Sequence, residues 1–134
     1  MARPLSVDTS FLIDLQRERA QGTTHGPAHE FLRSRLDVEL QVSAIALGEF
    51  AEGFRDPDHP VLRAVRERLV LQGVDEETAM VYGKVTRTLR AEGRLIGAND
   101  LWIGVSSLRY GLPLVTADVS AFMRIEGLEV VGYR

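Results

Sequence analysis

The spacing of hydrophobic residues changes repeatedly along the chain between the period of a strand and that of a helix. Leu5-Ser6-Val7 alternates as a half-buried strand does, and the polar turn Asp8-Thr9-Ser10 separates it from an apolar run of helical spacing that begins at Phe11. Predicted strands cover residues 5–7, 39–43, 70–71, 113–115 and 128–131. Predicted helices begin near residues 11, 27, 44, 60, 75, 99 and 121. This alternation predicts an α/β fold of three layers, in which helices cover both faces of a central parallel sheet of four or five strands.

Residue types near the helix starts predict how the helices are capped. Asn99 precedes an apolar run and Asp58 lies two residues before Pro60, so each is expected to cap a helix. Asp100 then falls in a first helical turn, where the helix dipole favours a carboxylate. On the second helix, apolar spacing predicts that Leu36 is buried in the core.

Composition and charge narrow the classes of protein to consider. A chain of 134 residues fits one domain, residues 1–134, with a core of its own. The formal net charge of −3 argues against a large basic surface for nucleic acid, but it allows an acidic site that binds cations. There is no cysteine, no signal-peptide pattern and no apolar run near the ~20 residues that span a membrane. A cytoplasmic protein without a membrane segment is therefore expected.

Four acidic residues are expected to meet at one edge of the parallel sheet. Asp8 and Asp118 follow strands, while Glu49 and Asp100 lie early in helices that begin at the same edge. Carboxylates in one pocket repel each other, so they need protons or cations, and oxygen ligands alone suit Mg²⁺ or Mn²⁺. Such ions can hold a phosphodiester and activate water, which suggests a nuclease. Periodicity alone also allows plainer roles: Asp8 as a helix cap, and Glu49 on a solvated face shared with Glu52.

Two other chemistries fit the sequence less well. His25 and His29 have the spacing of a zinc pair, but Gly26-Pro27 between them interrupts a continuous helix. A phosphotransfer domain of the receiver or haloacid-dehalogenase type also has an aspartate after its first strand. Those families require a second acid close by and a lysine near the site, whereas Ser10 stands at the second-acid position and Lys84, the only lysine, is in the middle of a helix.

Residues 7–10, 44–53, 96–100 and 114–118 resemble the acidic motifs of PIN-domain ribonucleases, and in particular of VapC-like toxins from toxin–antitoxin pairs. The likeness covers nearly the whole chain, and Ile-Gly-Ala-Asn-Asp at 96–100 is its most specific part. It implies an acidic catalytic site with two supporting hydroxyl groups and a metal held by the first and third acids. By position the acids are Asp8, Glu49, Asp100 and Asp118, the hydroxyls are those of Thr116 and Ser10, and the metal ligands are Asp8 and Asp100.

The resemblance also implies an activity and partners. The implied activity is that of an endoribonuclease that depends on Mg²⁺, with Mn²⁺ as an alternative ion, and that cuts an RNA substrate. The implied partners are a small antitoxin protein that blocks the site and a second copy of the chain in a homodimer. The antitoxin is expected to insert a basic side chain among the acids and to lay a helix near Phe11, Leu12 and Leu15. One position departs from the family pattern, because Ala121 stands before Phe122 where an acid is common. A PIN-fold module that binds RNA or protein with little catalysis is therefore the alternative.

Overall fold

The computed structural model describes residues 2–134, which form five strands and seven helices. The strands are β1 (Leu5–Val7), β2 (Leu40–Ser43), β3 (Val70–Gln72), β4 (Leu114–Thr116) and β5 (Val130–Gly132). The helices are α1 (Thr9–Ala20), α2 (Pro27–Arg33), α3 (Ala44–Glu52), α4 (Pro60–Arg68), α5 (Glu76–Ala91), α6 (Ala98–Arg109) and α7 (Val119–Phe122). Within residues 2–134, none of the helices is long and apolar enough to cross a membrane.

The five strands form one parallel sheet in the order β3-β2-β1-β4-β5, flanked by the helices, which confirms the predicted three-layer α/β/α class. The central strand is β1, with Val7 paired to Val42 of β2 on one side and to Val115 of β4 on the other. The chain builds the sheet outwards from β1 to β3 and then returns to β1 to add β4 and β5. The order of strands therefore reverses between β1 and β4, at the kind of position where open parallel sheets bind ligands.

The centre of the sheet is apolar, as a sheet with helices on both faces requires. Val7, Leu114 and Val115 are almost completely buried. Beside them the ring of Phe11 on α1 packs edge to face against Phe31, with ring centres 5.7 Å apart. The strand ends that carry polar residues are therefore fixed by a packed core immediately beneath them.

Two of the predicted helix caps are wrong. Helix α6 is capped by Gly97 instead of Asn99, because the Asn99 side chain is engaged with another helix. Helix α4 is capped by His59 instead of Asp58, because the Nδ1 atom of His59 accepts the backbone N–H of Val61. Asp100 does lie in the first turn of α6, as predicted.

Two other predictions fail at the ends of elements. Leu36 is 84% exposed, because α2 ends at Arg33 and its helical face does not extend that far. The last strand runs from Val130 to Gly132 and so lies further along the chain than residues 128–131.

Helix α6 is clamped at several points along its length, against α5 and the residues just before it. The rings of Tyr82 and Trp102 are stacked, with centres 3.7 Å apart and planes 9° from parallel. Arg109 donates to Asp75 over 2.8 Å, and this hydrogen bond is the main reason that the pKa of Asp75 is well below its ordinary value. The Tyr110 hydroxyl donates to the carbonyl of Gly73 over 2.8 Å. These contacts hold the helix that carries Asp100 in place.

Helix α6 approaches the segment around α7 closely at Gly104. A Cβ atom at this position would lie 2.5 Å from Cδ1 of Ile125 and 3.2 Å from Cδ1 of Phe122. Both of those side chains are 1% exposed, so neither has free space into which to move. Glycine at position 104 therefore permits the close packing of α6 that the fold requires.

Replacement of this glycine should destabilise the protein. We expect Gly104→Ala to lower the free energy of unfolding by about 1–3 kcal/mol, because the added methyl group overpacks a filled core. Gly83→Ala is the matched control, since Gly83 is exposed inside α5 and a Cβ there meets nothing within 4 Å. The control should raise the free energy of unfolding by about 0.5–1 kcal/mol through helix propensity. Urea denaturation of both variants measures the difference, and equal effects would show that Gly104 is not closely packed.

Candidate active site

The carboxyl ends of β1 and β4 are adjacent and open onto the point where the strand order reverses. Asp8 directly follows β1, and Asp118 lies two residues beyond β4. Helix α3 starts at the end of β2, and α6 also begins at this edge before it runs back to the start of β4, so Glu49 and Asp100 approach from the helix layer. The structure thus brings the four predicted acids to one edge of the sheet.

Asp8 is buried, at 5% exposure, and is the central carboxylate of this cluster. Its Oδ1 accepts the backbone N–H of Phe11 over 3.1 Å and so caps α1, as its residue type suggested. The same oxygen accepts the Ser10 hydroxyl over 2.7 Å, and Oδ2 accepts the Thr116 hydroxyl over 2.5 Å. Burial raises the pKa of Asp8, and these hydrogen bonds offset that rise only in part. Asp8 is therefore both a helix cap and a carboxylate held in a fixed orientation.

The two supporting hydroxyls are themselves fixed by the backbone. Thr116 Oγ1 accepts the N–H of Asp118 over 2.9 Å, so its own proton is directed to Asp8. Ser10 Oγ accepts the N–H of Ala117 over 3.3 Å while donating to Asp8. These contacts tie the loop after β4 to the first turn of α1. Both oxygens of Asp8 are consequently held by groups that carry no charge.

Glu49 is half-buried and faces the site, so the alternative of a solvated face does not hold for this residue, although Glu52 is exposed. Its Oε1 accepts the Thr9 hydroxyl over 2.5 Å, and its Oε2 accepts the side-chain amide of Asn99 over 3.1 Å. Sequence reasoning missed Thr9 and Asn99 as partners of Glu49. The available signal was their position, because each is adjacent to one of the predicted acids.

Asp100 is partly buried beside the other acids. Its pKa is raised, first by burial and then by the negative charges of Glu49, Asp8 and Asp118. The other three carboxylates therefore lie within electrostatic range of Asp100. Among the four acids, repulsion is most evident at Asp100, because its pKa is raised by the charges of the other three.

Asp118 is the most exposed of the four acids. Its Oδ1 atom lies 3.4 Å from both the backbone nitrogen of Ala121 and the hydroxyl of Ser120, and it caps the short helix α7. Asp118 therefore has a structural role at the rim of the cluster. Whether it replaces the acid absent at Ala121 stays a prediction.

The donor set suits a hard divalent cation bound through a few protein oxygens. Within residues 2–134, no three Asp, Glu or His side chains are close enough to enclose a metal ion by themselves. Mg²⁺ is commonly held by one or two carboxylates while it keeps several waters. Asp8 and Asp100 meet that requirement, because both are carboxylates whose negative charge is disfavoured in the protein alone. The residues present therefore fit such an ion.

The two histidines considered as a zinc pair contact different carboxylates. Nδ1 of His29 lies 2.8 Å from Glu18, whose side chain also accepts the backbone N–H groups of Ala28 and His29 at the start of α2. Nδ1 of His25 lies 3.6 Å from Glu30. Each imidazole thus has its own acidic partner near the start of α2.

Comparisons with a family model and with curated proteins point to the same family. The model of the PIN domain family matches residues 5–128. The curated protein Ribonuclease VapC1 of Haemophilus influenzae is 27% identical over 124 residues, which are 92% of this chain and 92% of that protein.

Solved structures show the same fold. VapBC-1 from nontypeable Haemophilus influenzae is 28% identical, with a TM-score of 0.77 over 99% of this chain and 98% of that chain. VapBC-5 from Mycobacterium tuberculosis, described as a member of the VapBC family of toxin-antitoxin systems, is 22% identical, with a TM-score of 0.68 over 100% of this chain and 99% of that chain. At 22% identity, the likeness to VapBC-5 shows only that the two chains share a fold.

Repulsion in the cluster predicts how Asp100 affects stability. Its pKa in the folded protein is above the ordinary value of 3.8, so between these two pH values the native state binds more protons than the unfolded chain. Stability is therefore lost as the pH rises through this window. We expect Asp100→Asn to raise the melting temperature at pH 7, with the gain disappearing below pH 3.8, where the parent carboxyl is protonated in both states.

Calorimetry across pH measures this effect. Asp37→Asn is the control, since Asp37 is an exposed acid in the turn before β2. An Asp100→Asn variant that is less stable than the parent at pH 7 would contradict the repulsion argument.

Proposed function

The chain belongs to the PIN-domain family, and from that membership we propose that it is a divalent-metal-dependent endoribonuclease acting as the toxin of a toxin–antitoxin pair. The relative named Ribonuclease VapC1 supports the activity. The observation that carries the proposal is the mutual effect of the four acids, because Glu49, Asp8 and Asp118 all raise the pKa of Asp100. Negative charge concentrated in this way is relieved by a bound proton or cation, and the oxygen-only donors suit a divalent cation.

We assign the metal to Asp8 and Asp100, with Mg²⁺ as the first choice and Mn²⁺ as an alternative. When bound, such an ion supplies Lewis-acid stabilisation of the phosphodiester and lowers the pKa of a water. Ser10 and Thr116 keep the two oxygens of Asp8 oriented by donating to them. Their neutral hydroxyls do this without cancelling the negative charge that attracts the cation.

The other two acids complete the proposed catalytic set. Glu49 is held by Thr9 and Asn99, so its carboxylate is fixed next to the helix that carries Asp100. Asp118 lies at the exposed rim, where a substrate would enter. The whole of residues 1–134 is proposed to act as one PIN-like domain, and an RNA substrate agrees with the expected cytoplasmic location.

Metal-dependent cleavage of RNA is the direct test. We expect the parent to cut RNA in Mg²⁺ and to stop when EDTA is added. Asp8→Asn and Asp100→Asn should each reduce kcat by at least ~100-fold, because each removes a proposed metal ligand. Glu52→Gln, which removes an exposed acid on the same helix as Glu49, should keep the parent rate.

Three outcomes would contradict the proposal in different ways. Full activity of Asp100→Asn would mean that the site is wrongly assigned. Cleavage of DNA with RNA untouched would rule out a ribonuclease. RNA binding without cleavage would favour the alternative of a binding module, which the use of Asp118 as a helix cap and the presence of Ala121 make the second candidate. If RNA is cleaved, sequencing of the cut ends from expressing cells identifies the substrate.

The proposed antitoxin is a small protein with a helix and a basic tail. An apolar groove of about 360 Å³ is lined by residues of α1, α2 and α4, and the exposed edge of Leu15 is part of its wall. Phe11 and Leu12 also line it, but they are 0% and 2% exposed, so they form its floor as part of the core. The acids at the carboxyl ends of the strands would attract a guanidinium, which can make paired hydrogen bonds with a carboxylate. The toxin is further proposed to form a homodimer.

Coexpression with the neighbouring reading frame tests this partner. We expect a small protein to copurify and to suppress RNA cleavage, and neutralisation of its basic tail should restore cleavage because the acids would again be accessible to metal. Equal inhibition by a partner without basic side chains would show that it does not act by occupying the acids. Light scattering of the purified complex measures whether the toxin is a dimer.

A further inference from the structure

The end of the described chain lies at the same edge of the sheet as the acids. Gly132, the last residue of β5, is paired in parallel with Thr116 of β4. Thr116 in turn donates its hydroxyl proton to Asp8. Tyr133 and Arg134, which follow Gly132, are therefore delivered to the rim of the acidic cluster by the register of the sheet.

Tyr133 is anchored in this position. It is 8% exposed and its ring packs edge to face on Phe11, with centres 5.0 Å apart. Its hydroxyl donates to Oδ2 of Asp14 over 2.6 Å. Burial and then this hydrogen bond raise the pKa of Tyr133 to about 12, so the hydroxyl keeps its proton and the contact at neutral pH. The backbone that leads into Arg134 is fixed as a result.

Arg134 extends from this anchor towards solvent. Its Nε lies 3.1 Å from the same oxygen of Asp14, whose side chain is only 19% exposed, whereas the arginine side chain is 54% exposed. The pKa of Arg134 is raised mainly by Tyr133 and Asp14, with a smaller effect from Asp8, which places the guanidinium within electrostatic range of the central acid. One edge of the guanidinium is thus held while its other N–H groups stay accessible.

The contact with Asp14 also explains why Arg134 does not neutralise the site. An unrestrained arginine next to a cluster of carboxylates would pair with them and occupy the place of a metal ion. Asp14 lies one helical turn beyond Ser10 on α1 and holds the guanidinium to the side of Asp8. Positive charge is therefore kept next to the acids, but separate from them.

We propose that Arg134 binds a backbone phosphate of the RNA adjacent to the phosphodiester that is cut. The inference rests on the proposed function, because it takes RNA to be the substrate. Carboxylates repel a phosphate chain, so a substrate of this protein needs a cation beside the acidic site. The planar guanidinium can give a phosphate two parallel hydrogen bonds. Asp14 and Tyr133 act as positioning residues for it.

Arg3 offers a matched control for Arg134. It precedes β1 by two residues, as Arg134 follows β5 by two, so it lies at the opposite edge of the parallel sheet. Its side chain is 56% exposed and pairs with a single carboxylate, that of Glu129, over 3.4 Å. It also donates to the carbonyl of Gly111. Replacing either arginine by glutamine removes one exposed charge and one ion pair.

The experiment measures RNA binding where cleavage is blocked. In the full chain carrying Asp100→Asn, a fluorescein-labelled single-stranded RNA is titrated in Mg²⁺ at several salt concentrations. Adding Arg134→Gln should weaken binding about tenfold and reduce the slope of log K against log salt by ~0.7, the effect of one lost phosphate contact on a single strand. Adding Arg3→Gln should change neither quantity. Arg134→Lys should keep the salt dependence and part of the affinity for RNA, because lysine retains the positive charge. If Arg134 had only a structural role, restoring the charge would not restore RNA binding.

Cleavage kinetics separate this inference from the proposed function. With Asp100 intact, Arg134→Gln should raise KM and leave kcat near the parent value. Two results would overturn the role of Arg134 even if the parent cleaves RNA. One is equal RNA binding by the Arg134→Gln and Arg3→Gln proteins. The other is no RNA binding at low salt by the protein that carries Asp100→Asn alone. If Arg134→Gln alone weakens RNA binding but the parent cleaves no RNA, the phosphate contact of Arg134 is supported and the proposed nuclease activity is ruled out.

Discussion

Repulsion between carboxylates at one edge of the sheet is the constraint on which the rest of this structure depends. Asp8 is buried and Asp100 lies within range of three other negative charges, so the folded chain concentrates charge that the unfolded chain would separate. Packing of the core must offset this unfavourable term, since the groups that hold Asp8 in place are neutral. Hydroxyls and backbone N–H groups orient the acids and leave their charge uncompensated. This uncompensated charge is the feature on which the proposed binding of a cation rests.

Rigidity of the site comes both from contacts within it and from contacts further along α6. Helix α6 presents Asp100 at its first turn, but Trp102 stacks on Tyr82 and the last turn is tied to α5 through Arg109. At the other side of the site, Thr116 and Ser10 join the loop after β4 to α1. The ion pair between Arg109 and Asp75 thus lies away from the cluster, and Arg134, beside the cluster, pairs with Asp14 instead of with the four acids. This separation lets the acids be held firmly without being neutralised.

Sequence patterns were sufficient for the order of the elements and for the edge at which the acids meet. Strand and helix periods differ clearly, and a parallel sheet places the ends of all its strands at one side. They were insufficient where a side chain had to choose between local and distant partners. Asn99 is suited to cap α6, yet it donates to Glu49, and the cap passes to Gly97. The orientation of Glu49 depends on that same contact, so the pattern along α3 alone could not reveal it.

The ends of helices and strands are a second feature that local sequence patterns do not predict. The apolar pattern that suggested burial of Leu36 continues past the point where α2 ends, and nothing in the local sequence marks Arg33 as its last residue. The position of Arg134 is set by the pairing of Gly132 with Thr116 and by Asp14 on the first helix. Such relationships come from the sheet register, which short sequence windows do not contain.

The close approach at Gly104 has a consequence for the spacing of the acids. Gly104 lies one turn beyond Asp100 on α6, and Ile125 and Phe122, which it meets, belong to the segment that follows Asp118. The absence of a side chain at position 104 therefore lets the helix that carries Asp100 pack closely on that segment. A residue outside the acidic cluster thus acts as a spacer, because it helps to set the position of Asp100 relative to Asp118.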